Sequence, residues 1–330
     1  MNPKNMQTNS RIIVLVIILA LIVVACGTQS QAAPEPDKVT LQLNWVYQAQ
    51  FAGYFVAEQQ GLYTNENLKV NIVPGDGTFK PIDKLIAKEA DFAIITDPIE
   101  VLQASEAGQP VRVVAAIYQQ NANIWISLAE KNIKTAQDMI GQRVGIRPVG
   151  EVPYRILLAA AGIDRAKLEE VTINDFTIRP LLDGQVDIIH DYALSGPLLA
   201  QREGYKFNVI TLADQGVLLP NELLAVREDL WQTNPDLVRR FVRASLKGWE
   251  IAVKNPEAGV KATLQFDETL DVTQQTDMMK AAIALVSSET TPIGHMDDKM
   301  WQQIMQIALD QHLIAAPIEL NKVYTTEFLQ

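Results

Sequence analysis

Short, continuously apolar segments alternate with segments of helical spacing through most of this chain, and this alternation limits its possible folds. Asp91–Ile95 and Val111–Ile117 carry few polar side chains, as strands buried on both faces do. Helical segments such as Pro98–Ala107 stand between the strands. The pattern predicts an α/β protein with largely parallel sheets that helices cover on both faces.

The remaining elements follow from the same reading. Further strands are predicted at Val39–Leu43, Leu68–Val73, Ile124–Leu128, Arg143–Ile146, Val186–Ile189 and Phe207–Ile210. After about residue 227 the pattern becomes mainly helical, with Asn234-Pro235 and Asn255-Pro256 as predicted helix starts. Phe241 and Trp249 recur on one face of the first of these helices, which assigns them to the core.

The N-terminal segment has the order of an exported protein's signal. An apolar run at 12–25 follows two basic residues and is directly followed by Cys26, the only cysteine. The run is shorter than the roughly 20 residues that a membrane-spanning helix needs. It resembles a bacterial lipoprotein signal, which predicts a signal peptide at 1–25, a lipid on Cys26 and a flexible tether over 26–38. The alternative is an uncleaved anchor with a free thiol.

Composition excludes several kinds of partner. The net charge is −11, and loss of the predicted signal would make it more negative, which suits neither nucleic acid nor an anionic bilayer surface. One cysteine gives no internal disulfide. The three histidines are far apart in sequence, which disfavours a zinc site, and we predict no metal and no cofactor.

Four segments together resemble one known family. They are Leu43-Asn44-Trp45 with Gly53–Ala57, Ala90–Ile94, Thr135–Gly145 and Asn255–Ala258. In order and spacing they are similar to the substrate-binding proteins of ABC importers, in the group that binds thiamine pyrimidine precursors, riboflavin, nitrate and sulfonates. Asn44-Trp45 with Tyr54 resembles the ThiY-like and RibY-like branch, which binds pyrimidine precursors or riboflavin.

The resemblance implies a two-lobed periplasmic-binding-protein fold of type II, with a ligand cleft between the lobes. The expected lobes are 39–129 plus 217–330, and 130–216, with crossings near Glu130 and near 216–223. The N-terminal signal predicts a protein held on the extracytoplasmic face of the cell membrane. The resemblance implies that it delivers its ligand to permease and ATPase subunits on other chains.

Candidate ligand-binding residues follow from strand ends, because ligands of parallel α/β sheets lie beyond the carboxyl ends of the strands. In the first lobe these are Asn44, Trp45, Tyr47, Asp76, Asp97 and Tyr118, and the resemblance adds Tyr54. In the second lobe they are Glu151, Tyr154, Asp175, His190, Asp191 and Tyr192.

These residues are mostly aromatic, amide or acidic, which favours a neutral, flat ligand with polar edges. Riboflavin fits, with a ring system to stack and a ribityl chain to hydrogen-bond, and a smaller aminopyrimidine fits nearly as well. Arg147 is the only basic residue at these strand ends, whereas a nitrate or sulfonate binder would gather several positive groups.

Several candidates also have ordinary structural explanations. Trp45 can be core, Asn44 can stabilise a turn, and His190 can be a hydrogen-bonded interior histidine. Asp97 and Asp175 stand at plausible N-cap positions. Gly75 and Gly77 can serve only to shape a turn.

Two other functions compete with import. A pyrimidine-synthase-like enzyme has a similar fold and uses a histidine with iron, but the predicted first-lobe loops contain no histidine, so we predict no catalysis. A sensor would use the same lobe closure, which the sequence cannot distinguish from transport. No P-loop pattern occurs in the chain, so ATP hydrolysis would belong to a partner.

Overall fold

The computed structural model describes residues 35–286 and 291–329. The elements below belong to one compact unit, Pro36–Gln330. Cys26 and the rest of the predicted signal lie outside the described residues. Within those residues, no helix combines the length and the apolar character needed to cross a bilayer.

The strands of the described residues build two five-stranded sheets. They are β1 (Asp37–Gln42), β2 (Leu68–Val73), β3 (Phe92–Ile95), β4 (Val111–Tyr118), β5 (Asn123–Leu128), β6 (Arg143–Ile146), β7 (Glu169–Thr172), β8 (Ile188–Tyr192), β9 (Phe207–Thr211) and β10 (Asn221–Arg227).

The two sheets have the same plan, in which one strand runs against the other four. The first sheet has the order β2-β1-β3-β10-β4, and β10 pairs antiparallel with both of its neighbours. The second has the order β7-β6-β8-β5-β9, and β5 is its antiparallel strand. The predicted α/β class is therefore confirmed, but the sheets are mixed rather than largely parallel, because two of the four pairings in each are antiparallel.

Helices cover both faces of the first sheet, as the apolar strands require. The α-helices of the described residues are α1 (Ala52–Gln59), α2 (Leu62–Asn65), α3 (Pro81–Ile86), α4 (Pro98–Glu106), α5 (Glu151–Ala161), α6 (Arg179–Leu182), α7 (Gly196–Arg202), α8 (Glu228–Thr233), α9 (Pro235–Lys254), α10 (Pro256–Phe266), α11 (Val272–Val286) and α12 (Asp298–Asp310).

Helix starts and the helical core agree with the predictions from sequence. The side chains of Asn234 and Asn255 accept hydrogen bonds from backbone amides of α9 and α10, so both predicted caps are confirmed. Phe241 and Trp249 are buried on the inner face of α9. That helix packs closely on α1, because a Cβ at Gly248 would lie 2.1 Å from the carbonyl oxygen of Gly53.

The structure corrects the predicted boundary between the lobes. β5 pairs with β8 and β9 of the second sheet, so the crossing near Glu130 was wrong and the chain crosses at 119–122 instead. The return crossing covers 212–220, close to the predicted position. β7 and β10 were not predicted, and β8 extends to Tyr192 rather than ending at Ile189.

Candidate functional site

Polar side chains of the first lobe meet at one edge of its sheet. Asn44 follows β1, Thr96 follows β3, and Tyr118 is the last residue of β4. Because β10 runs in the opposite direction, its first residues, Asn221 and Glu222, lie at the same edge. This is the edge at which ligands of such sheets are bound.

Glu222 is the centre of this cluster and is only 2% exposed. Its Oε1 accepts hydrogen bonds from Asn44 Nδ2 at 3.0 Å, from Gln50 Nε2 at 2.9 Å and from the Tyr192 hydroxyl at 2.7 Å. Its Oε2 accepts one, from Asn44 Nδ2 at 3.1 Å. Asn44 Nδ2 also donates to Thr96 Oγ1 at 2.7 Å, while Asn44 Oδ1 has no hydrogen-bond partner in the described residues.

The environment of Glu222 is unusual in charge and in backbone conformation. Burial raises the pKa of its carboxyl from 4.5 to about 7, and the donors from Tyr192, Asn44 and Gln50 offset part of that rise. Its φ of +52° is in the left-handed region, which is uncommon for a residue with a long side chain. Such strain is retained where the surrounding structure requires it, often at binding sites.

The second lobe contributes Tyr192 and the residues that hold it. Tyr192 ends β8, and its hydroxyl donates across the cleft to both Asn221 Oδ1 and Glu222 Oε1. The preceding Asp191 is buried and forms an ion pair with Arg147, 3.3 Å between Nη1 and Oδ2. The cross-cleft hydrogen bonds show that the two lobes are closed on one another at this point.

An aromatic pair from opposite lobes lies at the same cleft. Trp45 follows β1 of the first lobe, Phe176 lies in the loop after β7 of the second, and their ring centroids are 5.4 Å apart. Phe176 is 55% exposed, so much of its ring is open to solvent. Trp45 is half-buried, with Gly77 beneath its ring.

Gly77 is required for the position of Trp45. A Cβ at Gly77 would lie 2.2 Å from Trp45 Cζ3, and its φ is +77°. We therefore expect Gly77→Ala to displace the indole, to destabilise the fold by about 1 kcal/mol and to weaken cleft binding about tenfold.

Gly61→Ala is the matched control for this variant. Gly61 has a similar φ of +69°, but a Cβ at this position would have no atom within 4 Å of it. It should lose comparable stability in chemical denaturation while ligand titration gives the affinity of the unchanged protein. Equal affinities of the two variants would show that Gly77 has no role beyond its turn.

His190 is held as a neutral interior histidine. Burial, together with the charge of Arg147, lowers the pKa of His190 to about 3. Its Nε2 lies 2.9 Å from Asn123 Oδ1, so Nε2 carries the proton and donates. A Cβ at Gly150 would lie 2.3 Å from His190 Nδ1, so this ring is closely surrounded by its own lobe.

The remaining predicted residues lie outside the polar cluster. Tyr47 donates to the Ile72 carbonyl, Asp76 and Asp175 stabilise exposed turns through Thr78 and Thr177, Asp97 caps α4, and Glu151 pairs with Arg165. Tyr54 and Tyr154 are buried beside Trp249 and Trp125. The structure thus brings together Asn44, Trp45, Tyr118 and Tyr192, with Asp191 behind them.

Comparison with known proteins agrees with this architecture. The family described as NMT1/THI5 like matches residues 48–259. The chain belongs to this family. RibY, a riboflavin-binding protein of Chloroflexus aurantiacus, is 27% identical over 97% of both chains. A formylaminopyrimidine-binding protein of Halalkalibacterium halodurans is 25% identical over 91% of this chain and 93% of its own.

The solved structures show the fold. The periplasmic aliphatic sulphonate binding protein SsuA of Escherichia coli superposes on this protein with a TM-score of 0.68, at 14% sequence identity. The match covers 89% of this chain and 100% of SsuA. The predicted two-lobed periplasmic-binding-protein fold is therefore confirmed.

Sequence reasoning did not find four residues of this NMT1/THI5-like cleft. They are Gln50, Phe176, Asn221 and Glu222. Asn221 and Glu222 stand before an apolar run, Leu223–Val226, which is the signal that β10 exists. A rule that searches only beyond the carboxyl ends of strands misses residues at the start of an antiparallel strand.

Proposed function

We propose that this chain is the solute-binding component of an ABC importer and captures a flat heteroaromatic solute, with riboflavin as the first candidate. The observation that carries the proposal is the arrangement of Trp45 and Phe176 on opposite lobes, beside the buried Glu222 cluster. Aromatic faces bind the two sides of a ring system, and the cluster binds its polar edge.

The aromatic pair sets a requirement for lobe movement. A ring stacked between two others needs about 7 Å between their planes, because carbon atoms in contact are about 3.5 Å apart. The Trp45 and Phe176 centroids are 5.4 Å apart and their planes are tilted by 58°, so the lobes must separate and the rings must turn before a flat ring can stack on both. Entry by separation and capture by closure are what a two-lobed binding protein provides.

The polar cluster selects ligands that present hydrogen-bond donors. Asn44 Oδ1 lacks a partner among the described residues and Glu222 Oε2 accepts a single hydrogen bond there, so each of these buried oxygens can accept a further donor once the lobes separate. The ring N–H of riboflavin suits them. The amino group of an aminopyrimidine has two donors and suits them as well, which makes a thiamine pyrimidine precursor the second candidate.

An anion such as nitrate or a sulfonate is a poorer fit. Arg147 is a buried cation at this end of the second lobe, and four of its five donors are occupied by the carbonyls of Asp175, Thr177 and His190 and by Asp191, which also neutralises its charge. Glu222 adds negative charge when ionised. An anionic ligand would therefore meet repulsion without a free positive group from Arg147.

Fluorescence titration tests the ligand. Purified full-length protein is added to riboflavin, and saturable quenching at one equivalent is the expected result. An aminopyrimidine is then added as a competitor and followed by calorimetry. Absence of binding for both compounds would contradict the proposal, whereas turnover of either ligand would favour the enzymatic alternative.

We also propose that Cys26 carries the lipid anchor and that the protein acts at the extracytoplasmic face of the membrane. The support is the sequence order of an apolar run followed by the only cysteine. Cys26→Ser should abolish incorporation of labelled palmitate and move the protein out of the membrane fraction. Thr28→Ala is the control, and palmitate labelling that persists in Cys26→Ser would refute the anchor.

A further inference from the structure

Phe176 is an exposed aromatic residue on a loop whose backbone is held by a buried cation. The Arg147 side chain is 5% exposed. Its Nε donates to the carbonyl oxygen of Asp175 at 2.8 Å and its Nη2 to that of Thr177 at 2.6 Å. These are the residues on either side of Phe176, so one guanidinium fixes the backbone both before and after the ring.

The same guanidinium also holds the end of β8. Its Nη1 donates to the His190 carbonyl and lies 3.3 Å from Asp191 Oδ2. Asp191 Oδ1 in turn accepts hydrogen bonds from the backbone amide of Tyr192 at 2.7 Å and from Ser195 Oγ at 2.8 Å. Arg147 therefore connects the loop of Phe176 with the residue that reaches Glu222.

This arrangement is specific to arginine. The guanidinium is planar and offers five donors in a fixed fork, whereas lysine has a single nitrogen. A lysine can keep the ion pair with Asp191 but cannot bridge the carbonyls of Asp175 and Thr177 at the same time. Three of the four acceptors are backbone carbonyls, so neutralising Asp191 is only part of what this residue does.

We propose that Arg147 is a positioning residue, which sets Phe176 as the second-lobe aromatic wall of the cleft and fixes it relative to Tyr192. The inference rests on the proposed function for its effect on binding. The claim that Arg147 restrains the backbone of residues 175–177 does not depend on which ligand binds.

The binding test is a double-mutant cycle with riboflavin. Arg147→Lys should weaken affinity about tenfold, and the same substitution should have no further effect when Phe176 is already alanine. If Arg147 served only the stability of the lobe, the double variant would lose affinity by the product of the two single-variant factors. That result would overturn the proposal. Flavin quenching in Arg147→Lys should also be incomplete at saturation, because the second ring is no longer held against the flavin.

Arg143→Lys is the matched control. Arg143 begins β6, the strand that Arg147 follows, and it bonds Asp187 and the Gln185 carbonyl at the opposite end of that strand. Its substitution should leave riboflavin affinity and its dependence on Phe176 unchanged. A loss equal to that of Arg147→Lys would refute a specific role.

Hydrogen exchange separates this inference from the proposed function. The Thr177 amide donates to Asp175 Oδ1, and exchange of a peptide covering 175–179 should be faster in Arg147→Lys without any ligand. Unchanged exchange would overturn the proposal. If neither riboflavin nor an aminopyrimidine binds the unchanged protein, the function fails while faster exchange still supports the positioning role.

Thr177→Gly is a second variant in case Arg147→Lys does not fold. Thr177 is exposed, and its hydroxyl joins Asp175 Oδ1 to the Arg179 amide. Glycine loosens the loop without disturbing the buried guanidinium. Its affinity loss should also disappear in the Phe176→Ala background, and a loss that persists there would contradict the inference.

Discussion

Replacing Trp45 with alanine is expected to weaken binding of the proposed ligand, riboflavin, about 100-fold. The indole is half-buried, faces Phe176 of the other lobe and is supported from below by Gly77. Loss of its face removes a stacking contact and the apolar area that a ligand ring covers, together about 2–3 kcal/mol. Titration by flavin quenching measures the change.

A second tryptophan provides the control for this result. Trp231 lies on α8 with the Arg112 guanidinium 4.0 Å from its ring centroid. Trp231→Ala should lower stability through the lost cation–π contact and leave riboflavin affinity unchanged. Trp45→Ala with full affinity would mean that the ligand does not stack on the first lobe.

Glu222→Gln is expected to remove the pH dependence of ligand binding around neutrality. The wild-type carboxyl has a pKa near 7 through burial, and only its ionised form accepts a ligand donor with full strength. Affinity should therefore rise as the pH increases from 6 to 8, by about tenfold, and the glutamine variant should bind 10- to 100-fold more weakly at pH 8. Isothermal calorimetry across this range measures both effects.

The Glu222 carboxyl should affect stability and affinity in opposite directions: as the pH rises, the affinity increases while the free energy of unfolding decreases. The Glu222 pKa is higher in the folded protein than the unfolded value of 4.5, so the unfolded state ionises first as the pH rises. The contribution of this group to the free energy of unfolding is fully present below pH 4.5. It decreases by about 3 kcal/mol as the pH rises from 4.5 to about 7. Denaturation of Glu222→Gln should lack this portion of the decline.

Glu100 separates binding from stability in these experiments. Burial raises its pKa to about 7 as well, but it pairs with Lys80, 3.7 Å between Nζ and Oε1. Glu100→Gln should also flatten the dependence of stability on pH while leaving the dependence of affinity unchanged. If both variants altered affinity equally, the effect would belong to general charge and not to the Glu222 cluster.

The sequence predicted the parts of the fold whose pattern is strong. Strands such as Phe92–Ile95 are buried on both faces and form continuous apolar runs. Glu169–Thr172 was missed because β7 is an edge strand with mostly exposed side chains and two acidic residues. Phe176 follows that unrecognised strand and is not polar, so it was missed although its neighbour Asp175 was predicted.

The sequence likewise predicted some residues of the candidate site and missed others. Asn44, Trp45 and Tyr118 lie at carboxyl ends of strands parallel to one another, where the geometric rule applies. Glu222 is the second residue of β10 and lies at that edge only because β10 is antiparallel. Strand direction depends on pairing between distant segments, which one sequence without its structure does not reveal.

The position of Glu222 on the chain has a consequence for the order of events in capture. It lies just after the return crossing at 212–220, one of the two segments that join the lobes, whereas Phe176 follows β7 at the far edge of the second sheet. If the lobes turn about these two segments, Phe176 moves farther than the Asn44–Glu222 acceptors, which belong to the first lobe. The polar edge of the ligand then binds the Asn44–Glu222 acceptors before Phe176 contacts its ring. Stopped-flow quenching should therefore show two phases, and the slower phase should be absent in Phe176→Ala. Misfit solutes would depart from the open protein, before closure commits them to delivery.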